Sequence, residues 1–129
     1  MATTGMYIKE GDRIELRIPL NKTKHKAFDL DLTCLYEDEH LAVIHKPAGV
    51  LTSGNSFKTI ANALPNNIKT SVEADAILPQ PAHRLDFATT GALAIGKTRS
   101  ALHKLNRAFE DQQVKKVYYA IAIGSLSTY

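Results

Sequence analysis

The sequence predicts an α+β domain whose mixed, largely antiparallel sheet is flanked by helices. Three observations predict it. Short alternating or apolar runs recur between turn residues, and two segments repeat their apolar residues at helical spacing. The order is strands, helix, loop, strand, helix, strand, which is not regular β-α-β alternation. The length of 129 residues suits one domain, and 44% apolar with 22% charged residues excludes a chain disordered throughout.

Each element has its own signal. Arg13 to Ile18 reads R-I-E-L-R-I, with Ile14, Leu16 and Ile18 on one side of a half-buried strand. Gly11-Asp12 turns the chain before it and Pro19 ends it. Thr33 to Tyr36 and Leu41 to Ile44 are apolar runs separated by the acidic turn Glu37-Asp38-Glu39-His40, the pattern of a hairpin. Pro47-Ala48-Gly49 then bends the chain. Ser56 to Leu64 places Phe57, Ile60, Ala61 and Leu64 at helical spacing, with Ser56 as N-cap and Pro65-Asn66-Asn67 as the stop. Asn67 to Pro81 reads as an irregular polar connection. Gly91 to Gly96 is a short apolar strand. Thr98 caps a helix over Arg99 to Gln112, whose Ala101, Leu102, Leu105, Ala108 and Phe109 form a core-facing stripe. Lys115 to Ile123 reads as a final, central strand closed by Gly124.

Composition narrows the function classes. The net charge is +3 and the pI is near 9.0. Lysine and arginine concentrate in Lys9–Lys26 and Lys97–Lys116, while Asp29–Glu39 is wholly acidic among its charged residues. Basic segments near both ends suit a polyanionic partner and equally suit solvated faces. The longest uncharged apolar run, Tyr118 to Ile123, is too short to span a bilayer as a helix, so a membrane partner is not expected. The one cysteine, Cys34, excludes an internal disulfide and a CxxC zinc site, and it points to the reducing cytosol. No HxxxH or HxH spacing offers a metal site, and Cys34, His40 and His45 do not form a convincing nucleophile–base set.

One motif misleads. Gly91 to Thr98 spells G-A-L-A-I-G-K-T, which satisfies the phosphate-loop pattern letter by letter. Its four middle residues prefer a strand to a phosphate-wrapping loop, and Tyr118 to Ser125 supplies no aspartate to hold magnesium. A nucleotide-binding loop over 91–98 is the weakest of the readings.

The segment Pro81-Ala82-His83-Arg84-Leu85-Asp86-Phe87-Ala88-Thr89-Thr90-Gly91 is unusual for a plain connection. In an extended strip Arg84 and Asp86 share one face while Leu85 anchors the other in the core. A capped turn with a surface ion pair is the plain alternative.

H-R-L-D-x-x-T-[ST]-G at 83–91 resembles the signature of RNA pseudouridine synthases of the RluA type, which act on large-subunit ribosomal RNA and tRNA. Lys46-Pro47-Ala48-Gly49-Val50 resembles the family's K-P-x-G block, and Lys116-Val117-Tyr118-Tyr119-Ala120 with Gly124 its K-x-Y-x-A…G strand. Lys9 to Ile14 resembles the end of an S4-type RNA-binding module. The resemblance implies residues 1–28 as the tail of such a module or an N-terminal strand, and 29–129 as the N-terminal part of a catalytic domain. It implies isomerisation of uridine to pseudouridine in structured rRNA or tRNA, in the cytoplasm, with no metal or redox cofactor. Asp86 aligns with the essential aspartate, acting by direct attack on the ribose or through a glycal route. Tyr118 aligns with the tyrosine that packs on the target base. Arg84 aligns with an arginine that occupies the space of a flipped base, His83 with a loop-positioning residue, and Lys46 with a contact to RNA backbone or the start of the Pro-Gly turn. Two departures stand out: Phe87 replaces a common arginine, and a later arginine block is absent. That second departure implies a truncated fragment with little activity alone. A non-catalytic RNA-binding module is the competing function.

Overall fold

The structure, a computed structural model, describes residues 7, 9–13, 15 and 27–124. The elements are β1 (Thr33–Glu37), β2 (Leu41–Lys46), α1 (Ile60–Asn67), β3 (Ala76–Pro81), β4 (Gly91–Thr98) and α2 (Arg99–Glu110). The strands form one sheet in the order β1-β2-β4-β3, with every pairing antiparallel. A parallel bridge, Leu51 to Thr59, lies outside the named strands. The α+β class with helices against an antiparallel sheet is therefore observed. Most of the alternating stretch at 13–18 and most of residues 1–28 lie outside the described residues.

The hairpin forms where the two apolar runs and the acidic turn place it. Its turn is held by Asp38, whose carboxylate accepts the His40 and Leu41 N–H groups at 2.7 and 2.8 Å and the Tyr36 hydroxyl at 2.8 Å. These bonds, the Leu41 N–H foremost, hold the Asp38 pKa below its ordinary value.

The sheet has two unlike faces. Ala42, Ile44, Leu93 and Ile95 are fully buried on the first, with Ile60 and Leu64 of α1, Ile68 and Leu85. Each such isoleucine or leucine contributes about 1.5–3 kcal/mol by leaving water. The second face carries Val43, Ala92 and Ala94, and α2 crosses it where β4 has Gly96. A Cβ at Gly96 would lie 2.7 Å from the Leu102 Cβ, so glycine sets this close approach.

Four local expectations are corrected. The first helix starts at Ile60, capped by Thr59 rather than Ser56, and it runs through Pro65 to Asn67. Phe57 does not open a helical stripe; its ring meets Phe28 edge-on at 5.8 Å. Pro65 removes the N–H that would bond the Ala61 carbonyl, and the helix closes two residues later, where Leu64 accepts from the Ile68 N–H and Ala63 from the Asn67 side chain. Asn67 also bonds the Leu30 carbonyl and the Leu32 N–H, tying the chain before β1 to α1.

The connection at 67–81 contains a strand, β3. Its sequence A-I-L-P-Q-P hides it, since prolines argue against a central strand. Here it is an edge strand, with an irregularity between Ala76 and Gln80. The stripe of α2 is half-buried rather than fully core-facing. Residues 115–123 join no ladder, so the final central strand expected there is not formed. Tyr119, Ile121 and Ile123 stand almost fully exposed as a result.

Candidate active site

The His83–Gly91 loop leaves β3 and enters β4, and it is fastened from several sides. Leu85 is buried in the core, while its neighbours Arg84 and Asp86 are exposed, as the extended-strip reading requires. The Gly49 N–H donates to the Phe87 carbonyl at 2.8 Å, and the Thr89 N–H to the Asp86 carbonyl at 3.1 Å. Gly49 has φ 80°, so the Pro-Ala-Gly bend needs glycine there. Thr90 donates to the Lys46 carbonyl at 2.9 Å and lies 3.2 Å from His45 Nε2.

Lys46 is wholly buried, and its ammonium donates to the carbonyls of Pro47, Asp86 and Thr89 at 2.9–3.0 Å. A buried ammonium with three carbonyl partners has no donor left for phosphate, so of the two expectations for Lys46, RNA backbone contact or the start of the Pro-Gly turn, the geometry favours the second, as an internal clamp. Burial pulls its pKa below the ordinary lysine value, and the nearby Asp86 charge opposes that shift.

Thr52 is a site residue that the sequence reading passed over. It is 4% exposed, and its hydroxyl donates to the Leu85 carbonyl at 2.9 Å and accepts the Leu85 N–H at 3.2 Å. Its own carbonyl accepts the Ala61 N–H, and that of Leu51 accepts the Ile60 N–H, at the start of α1. The helix's first two free N–H groups are thereby satisfied by the loop that follows Lys46-Pro47, and the Asn62 N–H by its cap Thr59.

A hollow of about 870 Å³ opens on the second face of the sheet. Val43, Ala92 and Ala94 line it, with His83 and Phe109, and Val114 to Ala120 border it. Leu85 and Ala88 to Gly91 form one edge. Tyr118 and His83 are thus brought to one concavity. Asp86 and Arg84 do not line it; they project from the loop segment whose neighbours do. Tyr118 remains 63% exposed.

His83 joins three elements. Its Nε2 accepts the Ala94 N–H of β4 at 3.1 Å, and its ring lies 4.2 Å from that of Phe109 in α2. An accepting Nε2 requires the neutral ring. Burial, foremost, and the Lys116 charge lower the His83 pKa, against a smaller opposing bond. The folded state therefore resists protonation more than the unfolded chain. Its stabilising contribution is complete above the unfolded value of about 6.5 and declines as pH falls through the folded value. The melting temperature of the wild type is expected to fall more steeply between pH 7.5 and 5 than that of His83→Gln. Parallel profiles would remove His83 from that role.

The phosphate-loop lookalike at 91–98 is the strand β4 itself. Lys97 is 2% exposed, pairs with Glu37 at 2.8 Å and donates to the Asp38 carbonyl. No group of three or more His, Cys, Asp or Glu among the described residues is placed to hold a metal ion. No helix among them is long and apolar enough to cross a membrane.

Comparison with known proteins shows the family. Residues 40–128 match the RNA pseudouridylate synthase family profile. An uncharacterized RNA pseudouridine synthase of Chlorobaculum parvum is 44% identical over 102 residues, covering 74% of this chain and 31% of that protein. The ribosomal large subunit pseudouridine synthase D of Nitrosomonas europaea is 38% identical over 82% of this chain and 31% of its own length. The dual-specificity RNA pseudouridine synthase RluA of Salmonella typhi is 35% identical over 72% of this chain and 41% of its own length. The solved structure of human RNA pseudouridylate synthase domain containing 4 superposes with a TM-score of 0.52 at 30% identity, covering 63% of this chain and 30% of that one. The chain spans 31–41% of the length of these curated relatives. With more than half its residues matched to the family, the chain belongs to the RNA pseudouridylate synthases.

Proposed function

We propose that this chain carries the catalytic aspartate of an enzyme that isomerises uridine to pseudouridine in structured rRNA or tRNA. One observation carries the reading: Asp86 is exposed, yet the backbone on either side of it is fixed by Lys46, Gly49 and Thr52. A reactive carboxylate needs that combination of access and fixed position. The family membership and the names of the relatives support the substrate class.

In the reaction the bond between uracil N1 and ribose C1′ breaks, and the base turns. A bond then forms between C5 and C1′, C5 gives up its hydrogen, and N1 ends protonated. Asp86 engages the sugar, either as nucleophile at C1′ or through a glycal route. Tyr118, beside the hollow, offers a ring face to the base and a hydroxyl. Arg84 is free to enter the space that a flipped base leaves, since its planar cation stacks and pairs. His83 holds the loop to β4 and α2. No metal or redox cofactor enters this scheme. Residues 29–129 form the N-terminal part of the catalytic domain, working in the cytoplasm.

The test is release of tritium from RNA labelled at uridine C5, with the full-length protein carrying this sequence. Tritium release with matching pseudouridine in the digested RNA is expected. RNA binding without release would favour the non-catalytic module.

A further inference from the structure

We propose that Thr52 is the positioning residue that sets the aim of Asp86; this rests on the functional reading above. Leu85 immediately precedes Asp86, and both its backbone polar groups are taken by one side chain. The Thr52 hydroxyl donates to the Leu85 carbonyl at 2.9 Å and accepts its N–H at 3.2 Å, across 33 residues of sequence. The pair of bonds mimics a single rung of a β-ladder, supplied by a hydroxyl instead of a second strand.

The support behind the hydroxyl is rigid. Thr52 is 4% exposed, and its carbonyl is bonded to the Ala61 N–H at the start of α1. The Leu85 side chain is 8% exposed in the core on the far side. Residue 85 is therefore gripped through its backbone and its side chain, and the direction of the exposed Asp86 follows from that grip. The clamp at Lys46 holds the Asp86 carbonyl itself, one peptide further on. Together the two fix both peptide units that flank the Asp86 Cα. Removing the hydroxyl leaves a buried N–H and C=O unpaired at residue 85, and the loop must shift to hydrate them.

The experiment compares Thr52→Val, which keeps the shape and removes the hydroxyl, with Thr52→Ser, which keeps the hydroxyl. In the full-length protein the valine variant is expected to lose roughly 10- to 100-fold in kcat, the cost of a misplacement near 1 Å. KM for RNA is expected to change less than about twofold, since uniform binding is untouched. The serine variant is expected to recover most of kcat. Amide exchange read at Leu85 is expected to quicken in the valine variant and stay slow in the serine variant. Equal kcat for wild type and valine, with wild-type turnover intact, would overturn the role of Thr52 and leave the function standing. A parallel loss in valine and serine variants would also overturn it, marking a packing role. A wild type without turnover would remove the functional reading and this inference with it.

Discussion

Asp86→Asn is expected to abolish pseudouridine formation in the full-length protein, to below roughly one thousandth of the wild-type rate, a loss of more than about 4 kcal/mol of transition-state stabilisation. Asparagine is close to aspartate in size and cannot serve as a carboxylate toward a sugar carbon. The fold is expected to survive, because the bonds that fasten this loop run through the Asp86 carbonyl and not through its carboxylate. RNA affinity measured by filter binding is expected to stay within about threefold, since phosphate contacts supply most of such affinity. Turnover in Asp86→Asn would reject Asp86 as the reacting group. Loss of both binding and turnover would point instead to a disturbed loop, which circular dichroism would register.

The parts of this fold that could be read in advance are those whose cause is local. The hairpin at 33–46 follows from two apolar runs and an acidic turn, and α2 follows from Thr98 as cap and a helical stripe. The Arg84-Leu85-Asp86 strip follows from period 2 alone. Position was lost where the cause is distant. β3 exists because β4 offers an edge, and its prolines conceal it. The 115–123 segment has a strand's composition and joins no ladder, since composition does not supply a partner strand. The K-P-x-G resemblance leaves Lys46 open between RNA backbone and the start of the Pro-Gly turn, and only the fold shows three carbonyls from distant or bent backbone consuming its donors. Thr52 sends no signal in V-L-T-S-G, since its partner stands 33 residues away. Recognition of the site came from motif resemblance, and burial and bonding then sorted the motif residues into exposed and structural ones.

Lys97→Met is expected to destabilise the fold by about 3 kcal/mol, near the lower end of the cost of breaking a buried ion pair. The lower end applies because Glu37 keeps 21% side-chain exposure while Lys97 has only 2%. In the wild type the ammonium neutralises Glu37 and also donates to the Asp38 carbonyl, at the turn that closes the hairpin. The Glu37 carboxylate additionally accepts the Lys69 N–H at 3.0 Å, so one ion pair fastens β1, β4 and the chain after α1. Methionine fills the volume and strands the carboxylate beside an apolar side chain. A fall in melting temperature of about 10 °C is expected for a domain of this size. The double variant Lys97→Met with Glu37→Gln is expected to regain part of the loss, because the unpaired charge is then gone. The same pair of variants decides the remaining question about G-A-L-A-I-G-K-T. A lysine that cradled phosphate would be free of protein partners, and its loss would weaken nucleotide binding at unchanged stability. A melting temperature that does not move in Lys97→Met would therefore overturn the structural role assigned here, and with it the ground for reading residues 91–98 as a strand and nothing more.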